Sequence, residues 1–305
     1  MAAHWNQTEE DWRTMLALGQ GWGLRQRDEA GVDRLVASTL VLQYGAFAWV
    51  SMVLVLPAWR DQGHASRLLR VALDELAARQ VLPVLDATPA GHAVYLEQGF
   101  VDCWGFARWR CKVEELTTRL QSYSLSRKAG EGRGEGGAVE DPHPYPLPQA
   151  GEGAIRVRAL RDGDWPAIEY FDLPTFGASR LPLLRRLARR LPQAAWVVEG
   201  DGKLRGYLLG REGRTALQLG PLVADSDEVA RALLSTALAA VAGAAASADL
   251  DLIVDLREGQ AAVGAWLQER GFAVERLFTR MVHAAEAAAP GDPRRVVLVA
   301  GPELG

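Results

Sequence analysis

The chain has 305 residues, room for about two domains at the usual ~150 residues each. Hydrophobic residues make up 49% and charged residues 24%, which excludes wholesale disorder. Thirty-four basic against 38 acidic residues leave a net charge of −4, without the basic excess of a nucleic-acid binder.

Met1 to Arg13 is acidic and polar, unlike a signal peptide. Within it Thr8-x-x-Asp11 reads as a capping box opening a helix to about Leu18. Leu35 to Leu42 and Phe47 to Leu56 read as strands joined by a turn near Tyr44-Gly45. The apolar run Phe47 to Trp59 is too short to span a bilayer. Ala65 to Arg79 carries Leu68, Leu69, Ala72 and Leu76 on one helical face. A short strand Val81 to Asp86, a helix Gly91 to Gln98 and a strand region Val101 to Val113 follow. Cys103 and Cys111, the only cysteines, have no C-x-x-C spacing, so neither a disulfide framework nor a metal site is expected. The tryptophans Trp22, Trp49, Trp59, Trp104 and Trp109 read mostly as core, with one or two free to line a cleft.

Residues 121–153 break this texture. Gly and Pro are dense, Ala129-Gly130-Glu131-Gly132 recurs as Ala150-Gly151-Glu152-Gly153, and apolar periodicity vanishes. Such a stretch cannot bury enough surface to offset its ordering entropy and is expected to be a disordered linker. Its flanks look like copies. Gly99, Phe100, Phe106 and Arg108 recur at one constant spacing as Gly271, Phe272, Phe278 and Arg280. At shorter spacings Pro57 matches Pro221, and Leu85-Asp86 matches Val254-Asp255. The second copy adds a leading strand, Ile155 to Leu160, and a helix from about Asp162; the first copy is expected to lack both. The expected domains are 1–120 and 154–305.

Chemistry concentrates after the strand Val53 to Leu56. Pro57 ends it, and Arg60-Asp61-Gln62-Gly63-His64-Ala65-Ser66 opens directly into a helix. Free N–H groups and the positive end of the dipole at a helix start favour an anion, and a Gly permits close approach. A plain strand-to-helix turn has the same outline, so these residues alone allow, without requiring, a pyrophosphate.

Arg60-x-x-Gly63-x-Ala65 resembles the [Q/R]-x-x-G-x-[G/A] pyrophosphate loop of the GNAT acyl-CoA N-acyltransferase superfamily, and Tyr95-x-x-x-Gly99-Phe100 resembles the end of that family's last helix. The resemblance covers about residues 5 to 112. It continues over 155 to 300 in the order of elements, ending in Ala300-Gly301-Pro302-Glu303-Leu304-Gly305. It implies an α/β (α+β type) fold of two GNAT-like domains, each a mixed, mostly antiparallel sheet flanked by helices. It further implies that acetyl-CoA is the co-substrate, with no metal. Pantetheine would lie along Leu54 and Val55, and pyrophosphate on Arg60, Asp61, Gln62, Gly63, His64, Ala65 and Ser66. A primary amine of a small molecule or peptide would attack the acetyl group directly, with Tyr95 protonating the departing thiolate. The plainer reading of Tyr95 is a helix residue packing on the strand. Asp86 and His92 read as a structural group and a cap, so no base is assigned, and a water chain could serve. His64 reads as a solvated or phosphate-facing side chain. Leu222-Val223-Ala224-Asp225-Ser226-Asp227-Glu228 puts carboxylates where the first copy has its loop, and Leu267 stands at the position of Tyr95. The second copy is therefore expected to be degenerate. A cytoplasmic enzyme follows, monomer or homodimer, without nucleic-acid or membrane partners; the alternative is a protein that binds an acyl-CoA or a small ligand without turnover.

Overall fold

The computed structural model describes residues 5–121, 155–244, 250–284 and 288–305. The expected linker lies outside them, apart from Gln121. The first copy runs α1 (Glu9–Leu18), β1 (Gln20–Arg27), β2 (Asp33–Tyr44), β3 (Phe47–Val55), α2 (His64–Ala78), β4 (Leu82–Ala87), α3 (Pro89–Glu97) and β5 (Val101–Lys112), with a helix α4 over 113–121. The second runs β6 (Arg156–Ala159), α5 (Trp165–Phe176), α6 (Leu181–Arg190), β7 (Trp196–Gly200), β8 (Lys203–Arg211), β9 (Ala216–Ala224), α7 (Asp227–Ala244), β10 (Asp251–Arg257), α8 (Ala261–Glu269), β11 (Ala273–Val282) and β12 (Val296–Leu298). Both halves are mixed, mostly antiparallel α/β units.

Local chemistry explains most boundaries. Thr8 accepts from the Asp11 N–H while Asp11 accepts from the Thr8 N–H, so the capping box is complete. Thr88 caps α3 at the Gly91 N–H, with Pro89 at its first position. Four elements escape the sequence reading: β1, which contains Gly21 and Gly23; α4; α6, though Leu183, Leu184 and Leu187 bury one face; and β12.

The strands form one sheet in the order β1-β2-β3-β4-β11-β5-β10-β12-β9-β8-β7-β6. The last strands of the two copies are exchanged: β11 sits between β4 and β5, and β5 between β11 and β10. Phe106 pairs in register with Phe278, its own repeat counterpart, and the rings stack at 4.9 Å. A local two-fold axis therefore passes through this pair. It also explains two reciprocal ion pairs. Arg108 reaches Asp255 across the join at 2.7 and 2.8 Å, and Arg280 reaches Asp86 at 2.9 and 3.0 Å.

One face of the sheet is packed by α2 and α3 in the first half and by α7 and α8 in the second. The other is packed by α1, α5 and α6, with Ala300 and Leu304 from the final segment. That segment threads the join: Trp49 Nε1 donates to Pro302 O, Tyr44 Oη to Leu304 O, and Arg180 to Gly305 O. Below it Arg211, fully buried, is ion-paired to Asp11 and Glu303 and donates to Gln218, which donates in turn to Asp255. Residues far apart in sequence thus share one buried charge network.

The repeat alignment needs one correction. Pro221 lies inside β9, where Gly220 and Pro221 interrupt the pairing with β8, whereas Pro57 follows the end of β3. The structural counterpart of this interruption is Met52–Val53, which breaks the β2–β3 register at the matching place. No helix among the described residues is long and apolar enough to cross a membrane.

Candidate functional site

β3 and β4 run parallel, but their pairing covers only Phe47 to Trp49 against Leu82 to Val84. Beyond it the strands splay. At the splay β3 carries a bulge, two residues opposing one, with Met52 in the left-handed region at φ 52°. Ser38 Oγ donates to the Met52 carbonyl and holds the bulge in place.

Two cavities meet there. The first is a groove of about 510 Å³ along β2 and β3, mostly apolar, whose wall includes Trp12, Ala37, Leu54, Val55 and Pro57 and which runs out to Arg60. The second is a smaller pocket of about 180 Å³ lined by polar groups, among them Asp86, Thr88, Tyr95, Arg108 and Glu303. Met52, Val53, Trp5 and Gln7 line both. Leu54, Val55 and Arg60 thus line the groove, and Tyr95 lines the pocket it opens into. Trp5 and Trp12, rather than the tryptophans singled out from sequence, provide the aromatic walls.

The groove leads toward the start of α2. Gly63 is its N-cap at φ 73°, and Asp61 is also left-handed at φ 60°. No side chain caps the helix. The first helical bond is Arg67 N–H to Gly63 O, and the N–H groups of Asp61, Gln62, Gly63, His64, Ala65 and Ser66 find no acceptor among the described residues. A Cβ on Gly63 would meet nothing within 4 Å, so the loop is open above the glycine. Successive free N–H groups at a helix start form a cradle suited to phosphate oxygens. His64 differs from expectation. Its ring is buried, 3.4 Å from Gln26 Nε2 on β1, so only its backbone N–H faces the cradle.

Tyr95 packs edge-on against Phe100 at 5.9 Å, and its hydroxyl has no hydrogen-bond partner among the described residues. Burial pushes its phenol up to about 12, so it stays protonated well past neutrality. Gly91 makes room for it: a Cβ there would come within 3.1 Å of Tyr95 Cε2. His92 bonds Asp102 at 2.8 Å on the outer side of α3. Asp86 is committed to Arg280, although burial still pushes its carboxyl up.

The second half has the same splay, filled by its own chain. Beyond Leu219–Val254 the strands part, and β12 occupies the gap, pairing with β9 at Val223 and Leu222 and with β10 at Leu256. Gly220 allows this close approach, since a Cβ there would lie 2.2 Å from Val299 O. At the start of α7, Ser226 caps the Val229 N–H and Asp225 pairs with Arg205 at 2.9 Å. No cluster of His, Cys, Asp and Glu that could hold a metal occurs among the described residues.

Comparisons with known proteins agree with this architecture. Residues 5–100 match the pattern of the acetyltransferase (GNAT) family, and residues 168–293 match that of an acetyltransferase (GNAT) domain. No curated protein matches the sequence. Among solved structures, a Pyrococcus horikoshii protein assigned as an acetyltransferase aligns with a TM-score of 0.63 at 17% identity, over 97% of this chain and 84% of its own. A GCN5-related N-acetyltransferase from Sphaerobacter thermophilus gives 0.53 at 15%, over 89% and 82%. A tandem GNAT protein from the clavulanic acid biosynthesis pathway gives 0.53 at 15%, over 88% and 82%. At these identities the likeness concerns the fold. With both family patterns matched in one chain, on two copies of the same fold, the protein is a member of the GNAT acetyltransferase superfamily with its domains in tandem.

Proposed function

We propose that the protein is a cytoplasmic N-acetyltransferase that moves the acetyl group of acetyl-CoA to a primary amine, at one site per chain, in the first domain. The observation that carries this reading is the meeting of an apolar groove, ending at free N–H groups, with a polar pocket at the Met52–Val53 bulge. The groove suits an extended thioester arm along Leu54 and Val55. The cradle from Arg60 to Ser66 suits a pyrophosphate, and backbone at the bulge suits polarisation of the thioester carbonyl. The amine nitrogen bonds to the acetyl carbon, the C–S bond breaks, the thiolate takes the Tyr95 proton and the amine releases its own to solvent.

Tyr95 is a weak acid for this task. At a pKa of about 12 it holds its proton roughly 5 kcal/mol more tightly than a free thiol near 8.5. Its transfer must therefore accompany C–S cleavage, where basicity develops on sulfur away from water. The second domain, with β12 in its splay and carboxylates at the start of α7, is read as a structural partner.

Calorimetry with CoA and thiol release with a panel of primary amines test the reading. One CoA per chain with amine-dependent thiol release is expected. Two CoA per chain would overturn the single-site assignment, and CoA binding without turnover on any amine would leave a ligand-binding protein instead.

A further inference from the structure

The charges that line the polar pocket are answered within the protein, with one exception. Its carboxylates are taken up: Asp86 by Arg280, Glu275 by Arg110 and Glu303 by Arg211. Of its guanidinium groups, Arg108 holds Asp255 through two bonds, and Arg110 holds Asp251 as well as Glu275. Arg276 also lines the pocket, from an exposed position on β11, and has no ion pair or hydrogen bond among the described residues.

Strand register puts Arg276 there. On β11, Val274 faces Trp109 and Arg276 faces Arg108, so Glu275 is the extra residue of a bulge. An unbroken ladder would have set Glu275 opposite Arg108, a pair of opposite charges. The bulge sets two guanidinium groups across from each other instead, an arrangement that destabilises a sheet. The repeat supplies an internal comparison. Cys103 is the extra residue of the matching bulge on β5, Trp104 is the counterpart of Arg276, and Arg280 is the counterpart of Arg108. In that copy the residue opposite the arginine is aromatic, and the Arg280 guanidinium stacks on the Trp104 ring at 4.1 Å. The fold thus accepts a tryptophan beside a paired arginine. The copy that faces the pocket has a second cation in its place, which packing does not explain.

A guanidinium without a partner offers a planar fork of N–H donors that fits a carboxylate or a phosphoryl group. The cavity it lines holds about 180 Å³ and reaches Met52 and Val53, where the apolar groove opens into it. We infer that the acceptor of the transfer is a small amine that also carries an acidic group: the amine lies at the Met52–Val53 bulge, and Arg276 holds the carboxylate or phosphoryl group. This rests on the proposed acetyl transfer for its reaction, while the binding of the acid is measurable without it.

The test compares 4-aminobutanoate and 2-aminoethylphosphonate with n-butylamine, which has a similar chain and no acid, by thiol release from acetyl-CoA. In the wild-type chain the better of the two acids should exceed butylamine by about tenfold or more in kcat/KM. Which acid leads distinguishes a carboxylate from a phosphoryl group. In Arg276→Gln the KM of that acid should rise about tenfold with kcat little changed, and its advantage over butylamine should collapse. Arg276→Lys, which keeps the charge without the fork, should restore part of it. Tm should hold or rise in Arg276→Gln, since a like charge opposite Arg108 is removed. A lowered Tm with an unmoved acceptor preference would identify a structural residue and overturn the inference. Equal or better turnover of butylamine by wild type, or a preference that survives Arg276→Gln, would overturn it while leaving acetyl transfer standing. If no amine is turned over, calorimetry of the two acids on the CoA-loaded protein reads the site directly. Binding to wild type that is lost in Arg276→Gln supports the inference; no binding to wild type, or equal binding to the variant, overturns it.

Discussion

At the scale of single residues, Tyr95 and Gly63 do different work. Tyr95→Phe keeps the ring that packs on Phe100 and removes the only titratable atom, so CoA affinity should hold while kcat falls roughly 10²-fold. Stopped-flow thiol release against calorimetric Kd separates the two; unchanged kcat would return Tyr95 to a packing role. Burial also gives Tyr95 a pH signature. Its folded pKa, about 12, exceeds the free value of 10.0, so its contribution to stability is complete below pH 10 and is lost as pH rises through 12. Urea denaturation at pH 9 and pH 11 should therefore show a smaller alkaline loss for Tyr95→Phe than for wild type. Gly63→Glu combines a strained left-handed backbone with a carboxylate placed in the cradle, and should abolish CoA binding by calorimetry without unfolding the chain, because the space above Gly63 is empty.

At the scale of elements, the contrast between the two splays decides which domain has a groove. In the first, β3 and β4 part and leave the apolar groove; in the second, β12 closes the gap with its own side chains, and Leu298 and Val297 join the core. Leu298→Ala should cost about 2–5 kcal/mol through the cavity it leaves. It should not create a second CoA site, because Ser226 still satisfies the start of α7 and Asp225 still stands beside it. Denaturation curves and CoA stoichiometry on the same preparation check both halves of this statement.

At the scale of the whole molecule, the exchanged strands make the two domains one folding unit. Each domain's share of the sheet includes the other's last strand, so 1–120 alone would lack β11 beside β4 and expose that edge. A single calorimetric transition is expected for the full chain, and fragment 1–120 should be aggregated or unfolded. The reciprocal ion pairs sharpen the point. Arg108→Leu strands Asp255, which is 0% exposed, and should cost about 3–5 kcal/mol, whereas Arg108→Leu with Asp255→Leu should recover most of that loss. Additive costs in the double variant would show that the pair contributes nothing as a pair.

Much of this protein was legible in its residues. The capping box at Thr8, the amphipathic α2, the Gly-containing loop before it and the Gly-Phe repeats depend on local periodicity and backbone freedom, which a sequence carries directly. The loop's residues also carried the family resemblance, and the three carboxylates around the start of α7 marked the second copy as different. What only the tertiary structure decided are relations between distant segments. The exchange of β5 and β11 leaves no local trace, because a strand reads the same whichever neighbour it pairs with. The role of β12 as a filler of the second splay depends on the gap it enters, not on its own three residues. The inward turn of His64 is set by Gln26 on a neighbouring strand. The polar pocket is the extreme case: Asp86, Tyr95, Arg108 and Glu303 stand far apart in the chain, and only the packing of the strands and the final segment across the domain join brings them around one cavity.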